Sequence, residues 1–172
     1  CDEAGIYVMA ETNLESHGSW QKMGDTEPSW NVPGSVPEWK EAVVDRARTN
    51  FECYKNHPSI LFWSLGNESY AEDDIAAMQQ FFKENDDLRL VHYEGVTRVP
   101  NHQYDSITDM ESRMYAKPQE VEEYLKQNSG IPYISCEYMH AMGNSLGGLS
   151  LYTDLEDKYE AYQGGFIWDY ID

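Results

Sequence analysis

Basic residues are scarce in this sequence of 172 residues, in which 12 lysines and arginines stand against 31 aspartates and glutamates. The formal net charge of −19 excludes nucleic acid and an anionic membrane surface as partners, because both are themselves negatively charged. Long apolar runs are also missing. Since we find no signal peptide and no apolar stretch near 18 residues, nothing predicts export or membrane insertion, and we expect a cytoplasmic protein.

Cysteine is rare as well, and only Cys1, Cys53 and Cys136 are present. An odd count without regular spacing argues against a disulfide framework, and no CxxC pair indicates zinc. The remaining composition, with 41% hydrophobic and 25% charged residues, is typical of a globular fold. A chain of this length can bury one sizeable core, so we expect a single domain over residues 1–172.

Short apolar runs alternate with helical patterns along the whole chain. The best-marked helix should begin at Ser35, which can cap it, with Pro37 in the first turn and Glu38 completing a capping box. Residues 19–34 and 96–111 are predicted loops. The predicted strands are 5–10, 60–65, 88–95, 112–116, 132–137 and 164–171, and the predicted helices are 35–54, 72–83, 118–127 and 149–162.

About six alternations of strand and helix predict parallel strands joined by right-handed crossovers. A doubly wound sheet should carry a glycine-rich turn after its first strand, which MAETNLESHG (9–18) lacks. A (β/α) barrel places its functional groups at the carboxyl ends of its strands instead. Residues of suitable chemistry lie at or just beyond five predicted strand ends: Glu15 and His17, Asn67 and Glu68, Tyr115, Glu137, and Trp168. We therefore predict an α/β fold of the (β/α)8 TIM-barrel type.

Two glutamates, Glu68 and Glu137, end strongly apolar strands, where an ionised carboxylate is costly unless it is bonded, paired or placed in a polar cleft. The simpler alternative is that both reach solvent. If both point into one cleft, they suit glycosidic cleavage, in which one carboxyl donates a proton and the other attacks the anomeric carbon. A separation of about 5–5.5 Å would indicate a retaining pair, and about 6.5–9.5 Å an inverting one. The residues placed to bind a sugar are Asn67, Tyr115, Tyr138, His140 and Trp168.

Three segments, SLGNES (64–69), CEYMHAMGNSLGG (136–148) and QGGFIWDYID (163–172), resemble the catalytic barrel of β-galactosidases of glycoside hydrolase family 2. The segment ETNLESHG (11–18) is similar to that family's metal-binding segment, and MYA (114–116) to its tyrosine strand. These segments occur in the family's order and span nearly the whole chain. The resemblance implies a retaining enzyme that hydrolyses terminal β-D-galactosides.

The resemblance also implies a role for each catalytic or sugar-binding residue. Glu137 would be the nucleophile that forms a covalent galactosyl-enzyme, and Glu68 the general acid/base. Asn67 would bond to the sugar's 2-hydroxyl group, and Tyr115 would bond to the nucleophile. The residues that would line the galactose pocket are His140 and Trp168, with the tryptophan ring facing the sugar.

A metal site follows from the same resemblance. Glu15, His17 and Glu68 would hold a Mg²⁺ ion that tunes the acid/base carboxyl group. Oxygen ligands suit Mg²⁺, whereas histidine is an unusual partner for it. From the residues alone, Glu15 and His17 are equally compatible with a solvated pair in a loop.

Matched to the family, the chain begins at the third barrel strand and ends at the eighth. We expect the remaining domains of a parent chain, and a homo-oligomer, as partners. Because six strands cannot close an eight-stranded barrel, we expect these residues alone to have little or no activity. The alternatives are a β-glucuronidase or other family 2 glycosidase, and a non-catalytic carbohydrate-binding or assembly fragment. A β-glucuronidase would need a cationic or amide cluster, and we find no basic residue near the motif positions.

Overall fold

A computed structural model describes residues 1–17 and 32–170. Strands and helices alternate along these residues, and every pair of neighbouring strands is parallel, as predicted. The strands are β1 (Val8–Glu11), β2 (Ile60–Ser64), β3 (Leu90–His92), β4 (Glu111–Met114), β5 (Tyr133–Tyr138) and β6 (Tyr162–Ile167). The α-helices are α1 (Pro37–Tyr54), α2 (Asp73–Asn85), α3 (Pro118–Gln127) and α4 (Ser150–Lys158). Three short 3₁₀ helices, at 94–98, 100–102 and 105–107, lie between β3 and β4.

The chain forms two compact units, residues 1–109 and 110–172, and each contains one three-stranded parallel sheet. The first unit has the strand order β1-β2-β3, and the second has the order β4-β5-β6. Within each unit, strands that are consecutive in the sequence are neighbours in the sheet, and a helix connects each pair. This is the arrangement of consecutive β/α repeats. A single domain over residues 1–172 stays a prediction.

Trp63 lies at the centre of the first unit's core. Its side chain is fully buried, stacks on Phe82 at a ring distance of 5.2 Å and meets the edge of Phe51 at 5.7 Å. The indole nitrogen donates a hydrogen bond to Asp86 at 2.9 Å, so its polar atom is also satisfied. The position of Trp63 inside the apolar run 60–65 predicts a core residue, and the structure confirms this.

Apolar residues recur at three- and four-residue steps along the first two helices, from Trp39 to Tyr54 on α1, which predicts one buried face on each helix. The structure largely confirms these two faces. The side chains of Ile75, Met78 and Phe82 on α2 are fully buried, as expected from their spacing. On α1, the buried apolar residues are Val43, Ala47 and Phe51. The prediction fails at the ends of α1, where Trp39 and Tyr54 are about half exposed.

The prediction that Ser35 caps α1 is wrong. The helix begins at Pro37 and has no side-chain cap, so the expected capping box with Glu38 is also absent. Ser35 instead accepts a hydrogen bond from the amide of Asp73, the first residue of α2, at 3.3 Å, and donates one to Glu72 at 3.0 Å. A partner distant in sequence therefore replaces the local one.

Most of the other element boundaries differ by a few residues from the prediction. The first strand runs from Val8 to Glu11 instead of 5–10, and the strand predicted at 88–95 ends at His92. The helix predicted at 149–162 ends at Lys158, and the last residue of the predicted range, Tyr162, is the first residue of β6. Helix α3 has the predicted bounds. Most of the loop predicted at 19–34 and the last residue of the strand predicted at 164–171 lie outside the described residues.

The second unit has its own small core beneath the sheet. This core combines residues from α3, α4 and the sheet: Val121, Leu125, Tyr133, Leu155 and Tyr162. The ring of Tyr133 packs at 5.5 Å from Tyr124 and at 5.8 Å from Tyr162. In neither unit does a helix of the described residues have the length and apolarity needed to cross a membrane.

Candidate active site

The loops that follow β1 and β2 run side by side. Glu15 and Asn67 form an isolated parallel bridge, and the Asn67 amide donates a hydrogen bond to the carbonyl of Leu14 at 2.8 Å. Gly66 permits this approach because it has a φ of +141°, and a Cβ atom there would lie 2.4 Å from the Leu14 oxygen. The parallel pairing of the strands thus continues into the segments that carry the predicted site residues.

His17 lies between the carboxylates of Glu15 and Glu68. Its Nε2 atom contacts Glu15 Oε1, and its Nδ1 atom contacts Glu68 Oε2. One ligand atom from each of these three residues lies within 4.8 Å of the other two. Two carboxylates and an imidazole at this spacing can hold a divalent cation that keeps several of its waters.

The second oxygen of Glu68 is paired with Arg98. The Nη2 atom of Arg98 donates to Glu68 Oε1 at 3.2 Å, and both side chains are about four-fifths buried. Arg98 lies on the first 3₁₀ helix after β3, within a segment for which the sequence predicted a loop. Our expectation of no basic residue near the motif positions is therefore wrong at this point.

Two further residues around Glu68 were missed by the sequence analysis. Glu94 Oε1 accepts a hydrogen bond from the Glu68 amide at 2.6 Å. The Tyr93 hydroxyl accepts from the amide of Ser69 at 3.1 Å and donates to the Ser69 carbonyl at 2.5 Å. Glu94 is only 3% exposed, and burial raises its pKa to about 7, against the attraction of the Arg98 charge. An acidic residue just beyond β3 is the signal that could have identified Glu94, since the same signal pointed to Glu137.

A row of polar side chains crosses the sheet just before these loops. Glu11, Ser64 and His92 occupy the same register on β1, β2 and β3. The Ser64 hydroxyl donates to Glu11 Oε2 at 3.0 Å and lies 3.0 Å from His92 Nδ1. Because the only hydroxyl proton goes to Glu11, His92 Nδ1 is the donor in the second contact. Burial lowers the pKa of His92 to about 4, so this ring is neutral at pH 7.

In the second unit, Glu137 is the penultimate residue of β5, and its side chain is partly exposed. Tyr115 comes directly after β4, and its amide donates a hydrogen bond to the Glu137 carbonyl at 2.8 Å. Tyr115 has a φ of +55°, so the chain changes direction at this residue. The structure thus places the backbone of Tyr115 beside Glu137, whereas the bond from the tyrosine to the nucleophile that the resemblance implies stays a prediction.

After β5, the chain turns so that His140 lies at the end of the sheet where Tyr115 and Glu137 are found. Met139 and His140 have φ values of +69° and +43°, and this turn brings the His140 ring to 5.8 Å from the ring of Tyr115. Two aromatic rings therefore flank the end of the strand that carries Glu137.

Trp168 follows β6 and makes two backbone hydrogen bonds, one to the last residue of β5 and one to the loop after it. Its amide donates to the Tyr138 carbonyl at 3.1 Å, and its own carbonyl accepts from the Ala141 amide. Trp168 is 40% exposed, which argues against a core role.

The predicted site residues form two groups, and the group in the first unit contains Glu15, His17, Asn67 and Glu68. The second group, in the other unit, contains Tyr115, Glu137, His140 and Trp168. Their catalytic and binding roles, and the pairing of Glu68 with Glu137, stay predictions.

Residues 1–172 match the family described as glycosyl hydrolases family 2, TIM barrel domain. The chain belongs to this family. Over all 172 residues it is 69% identical to the β-galactosidase large subunit of Leuconostoc lactis and 65% identical to that of Lactobacillus helveticus. It spans 27% of the length of each of these relatives.

Solved structures agree with this assignment at the level of the fold. The β-glucuronidase 2 of Bacteroides uniformis, solved with a covalently bound cyclophellitol-6-carboxylate aziridine, superposes with a TM-score of 0.61 over 80% of this chain and 22% of its own. At 17% identity, this likeness indicates the fold alone. The prediction of an α/β fold of the TIM-barrel type is confirmed, and the parallel sheets with their connecting helices are part of such a barrel.

Proposed function

We propose that this chain is the catalytic core of a retaining β-galactosidase, which hydrolyses terminal β-D-galactosides through a covalent galactosyl-enzyme. The observation that carries the proposal is the identity of 69% over every residue of the chain to a protein named as a β-galactosidase large subunit. The matched segment contains both glutamates: Glu68 lies four residues past β2, where its amide donates to Glu94, and Glu137 lies in β5, where its carbonyl accepts from the amide of Tyr115.

In the proposed reaction, Glu137 attacks the anomeric carbon while Glu68 gives its proton to the glycosidic oxygen, so the aglycone leaves as a neutral alcohol. In the second step Glu68 takes a proton from water, and the resulting hydroxide displaces Glu137 from the sugar. The bond from the Tyr115 amide to the Glu137 carbonyl holds the nucleophile's backbone in place. Tyr115 and Trp168 are each 40% exposed, and the His140 ring lies against that of Tyr115. Exposed aromatic rings of this kind can pack on the apolar face of a sugar.

The donors around Glu68 fit a Mg²⁺ ion. Glu15, His17 and Glu68 would hold it, since they offer two carboxylate oxygens and one imidazole nitrogen within 4.8 Å of each other. When bound, the ion would supply positive charge that stabilises the carboxylate left on Glu68 after it has given its proton to the glycosidic oxygen. Arg98 supplies a fixed positive charge to the other oxygen of the same carboxylate.

The metal proposal predicts that EDTA lowers the kcat of the complete protein and that Mg²⁺ restores it. We expect Glu15→Gln to weaken the affinity for Mg²⁺ by about 10-fold or more, because a charged ligand is lost. The affinity is measured by titration calorimetry, which does not depend on turnover. Glu123→Gln, at an exposed position on α3, is the matched control. Equal Mg²⁺ affinity in Glu15→Gln and the control would contradict the site.

The experiment that tests the proposed function measures nitrophenyl β-galactoside hydrolysis by the protein expressed with all residues that its gene encodes around this segment. We expect Glu137→Gln to lower kcat by at least about 10³-fold, because the nucleophile is lost, and Glu123→Gln to leave it unchanged. NMR of the first-formed product should show the β anomer, as retention requires. Hydrolysis that survives Glu137→Gln, or a first product that is the α anomer, would overturn the mechanism.

An assay of a β-glucuronide in parallel tests the alternative that the protein is a β-glucuronidase. A glucuronidase needs a cation for the substrate carboxylate, but Arg98 is already paired with Glu68. We therefore expect turnover of the galactoside to exceed that of the glucuronide by several orders of magnitude. An inactive full-length protein would instead favour the non-catalytic alternative.

We also propose that these residues act together with other domains or subunits, as the name large subunit implies for the two relatives. A homo-oligomer and a cytoplasmic location stay predictions.

A further inference from the structure

Three consecutive residues after β3, Tyr93, Glu94 and Gly95, have no part in the proposed chemistry. All three are buried, and all three contact the loop that carries Glu68. This group is called the β3 clamp below. The hydrogen bonds that Tyr93 and Glu94 make to this loop go to its backbone.

Glu94 makes the contact nearest to the reacting group. One of its oxygens accepts the amide proton of Glu68 at 2.6 Å, and its other oxygen has no hydrogen-bond partner among the described residues. Burying a carboxyl group that is 3% exposed is costly, and the amide bond and the attraction of the Arg98 charge offset this cost only in part, since burial still raises the pKa of Glu94 to about 7. The amide it serves belongs to the proposed acid/base.

Tyr93 and Gly95 hold the next peptide of the same loop. The buried Tyr93 hydroxyl bonds to both the amide and the carbonyl of Ser69. At Gly95, a Cβ atom would lie 2.6 Å from the Ser69 carbonyl oxygen and 2.5 Å from the Tyr93 ring, so a larger residue would displace the loop. The residues after β3 thus hold three successive peptide groups, those on both sides of the Glu68 α-carbon and the one that follows Ser69.

The conformation of Glu68 explains why its loop needs such support. Its φ of +46° lies in the left-handed region, which residues other than glycine rarely adopt. Such a conformation persists only where surrounding contacts impose it. Loss of the bond to the Glu68 amide would allow the peptide to rotate toward an ordinary φ, and the carboxyl group would move with it.

We propose that Glu94 and Tyr93 are positioning residues for the acid/base Glu68, holding its backbone in the left-handed conformation that aims the carboxyl group. This inference rests on the proposed function. A displacement of about 1 Å at a reacting group can cost about 10²-fold in rate, so small movements of this loop matter.

The test compares two replacements of Glu94 in the complete protein. Glu94→Gln keeps an oxygen that accepts from the Glu68 amide, whereas Glu94→Leu removes it. Each variant is assayed on a galactoside with a poor leaving group, such as methyl β-galactoside, and on the dinitrophenyl galactoside, whose leaving group needs no proton. We expect Glu94→Leu to lose about 10²-fold in kcat/KM on the methyl galactoside and less than about 5-fold on the dinitrophenyl galactoside. Glu94→Gln should stay within about 5-fold of wild type on both.

This pattern separates positioning from stability, because a smaller folded fraction lowers both rates by the same factor. Equal losses of Glu94→Leu on the two substrates would overturn the proposal, and so would a methyl galactoside rate close to wild type. Tyr93→Phe, which removes only the hydroxyl group, provides a second variant should the leucine variant fail to fold. Tyr93→Phe should also lose more kcat/KM on the methyl galactoside than on the dinitrophenyl galactoside, by a smaller factor than Glu94→Leu. Equal rates of loss on the two substrates would also overturn the proposal.

Glu68→Gln makes the two possible failures distinguishable. If the proposed function is correct, this variant shows the largest selective loss on the methyl galactoside. A Glu68→Gln enzyme without leaving-group dependence would refute the acid/base assignment itself. Suppose instead that Glu68→Gln loses kcat/KM selectively on the methyl galactoside and that the Glu94 and Tyr93 variants do not. This result would refute only the positioning role of Glu94 and Tyr93.

Discussion

Replacing Gly66 by alanine tests how the two loops of the first unit are held together. Gly66 has a φ of +141°, and an added Cβ atom would lie 2.4 Å from the Leu14 carbonyl oxygen and 3.0 Å from the Leu14 Cβ atom. The same carbonyl accepts the hydrogen bond from the Asn67 amide at 2.8 Å. The new methyl group would therefore push apart the segments that carry Glu15 and Glu68.

The cost of Gly66→Ala has two parts. Forcing alanine into a positive-φ conformation costs about 1–2 kcal/mol, and the contact with backbone atoms adds about 1–3 kcal/mol, as overpacking typically does. Gly5 provides a matched control, because it has a φ of +68° and a Cβ atom there would have no described atom within 4 Å. Gly5→Ala should therefore lose only the first part, and the two variants should differ by about 1–3 kcal/mol.

The assay is thermal unfolding of both variants, combined with titration of Mg²⁺. For a domain of 150–250 residues, each kcal/mol lowers the melting temperature by about 2–4 °C, so Gly66→Ala should melt at least about 2 °C below Gly5→Ala. Only Gly66→Ala should also bind Mg²⁺ more weakly. Equal melting temperatures, or unchanged Mg²⁺ affinity in Gly66→Ala, would refute the role assigned to this close approach.

Two further predictions concern the first unit. Trp63→Ala should lower the free energy of unfolding by about 3–5 kcal/mol in urea titrations, whereas Trp39→Ala, at a position 47% exposed, should change it by less than about 0.5 kcal/mol. The pKa of about 4 for folded His92 lies below its ordinary value, so the unfolded chain binds a proton first as the pH falls below about 6.5. Wild type should therefore lose up to about 3 kcal/mol relative to His92→Gln between pH 6.5 and pH 4, and no difference in slope between the two proteins would contradict this.

The sequence was sufficient for the elements whose pattern is local. Helix α3 has the predicted bounds, β2 ends one residue before the predicted end, and β5 is shifted by one residue at both ends. In a parallel β/α fold, each buried strand is an apolar run bounded by polar loops, so its carboxyl end is visible in the sequence. The residues expected at those ends could be named for the same reason.

Contacts between elements could not be predicted in this way. Ser35 caps α2 instead of α1, and its bond to Asp73 joins residues 38 positions apart. Arg98 reaches Glu68 across 30 positions, and Glu94 reaches it across 26. No periodicity in the sequence records such pairs, because each depends on how separate loops meet after the sheet has formed.

The backbone conformation of the candidate site could not be predicted from the sequence. It nevertheless supports the selection of several residues as site residues. Of the nine predicted site residues, four have positive φ: His17, Glu68, Tyr115 and His140. A sequence gives no warning of this, since none of the four is a glycine. Strained backbone of this kind tends to occur at functional sites, where surrounding contacts are organised to hold it. Glu68 shows such contacts directly, in the bonds to its own amide and to the next peptide. The strand-end pattern and the positive φ values are independent observations, and they coincide at these four residues.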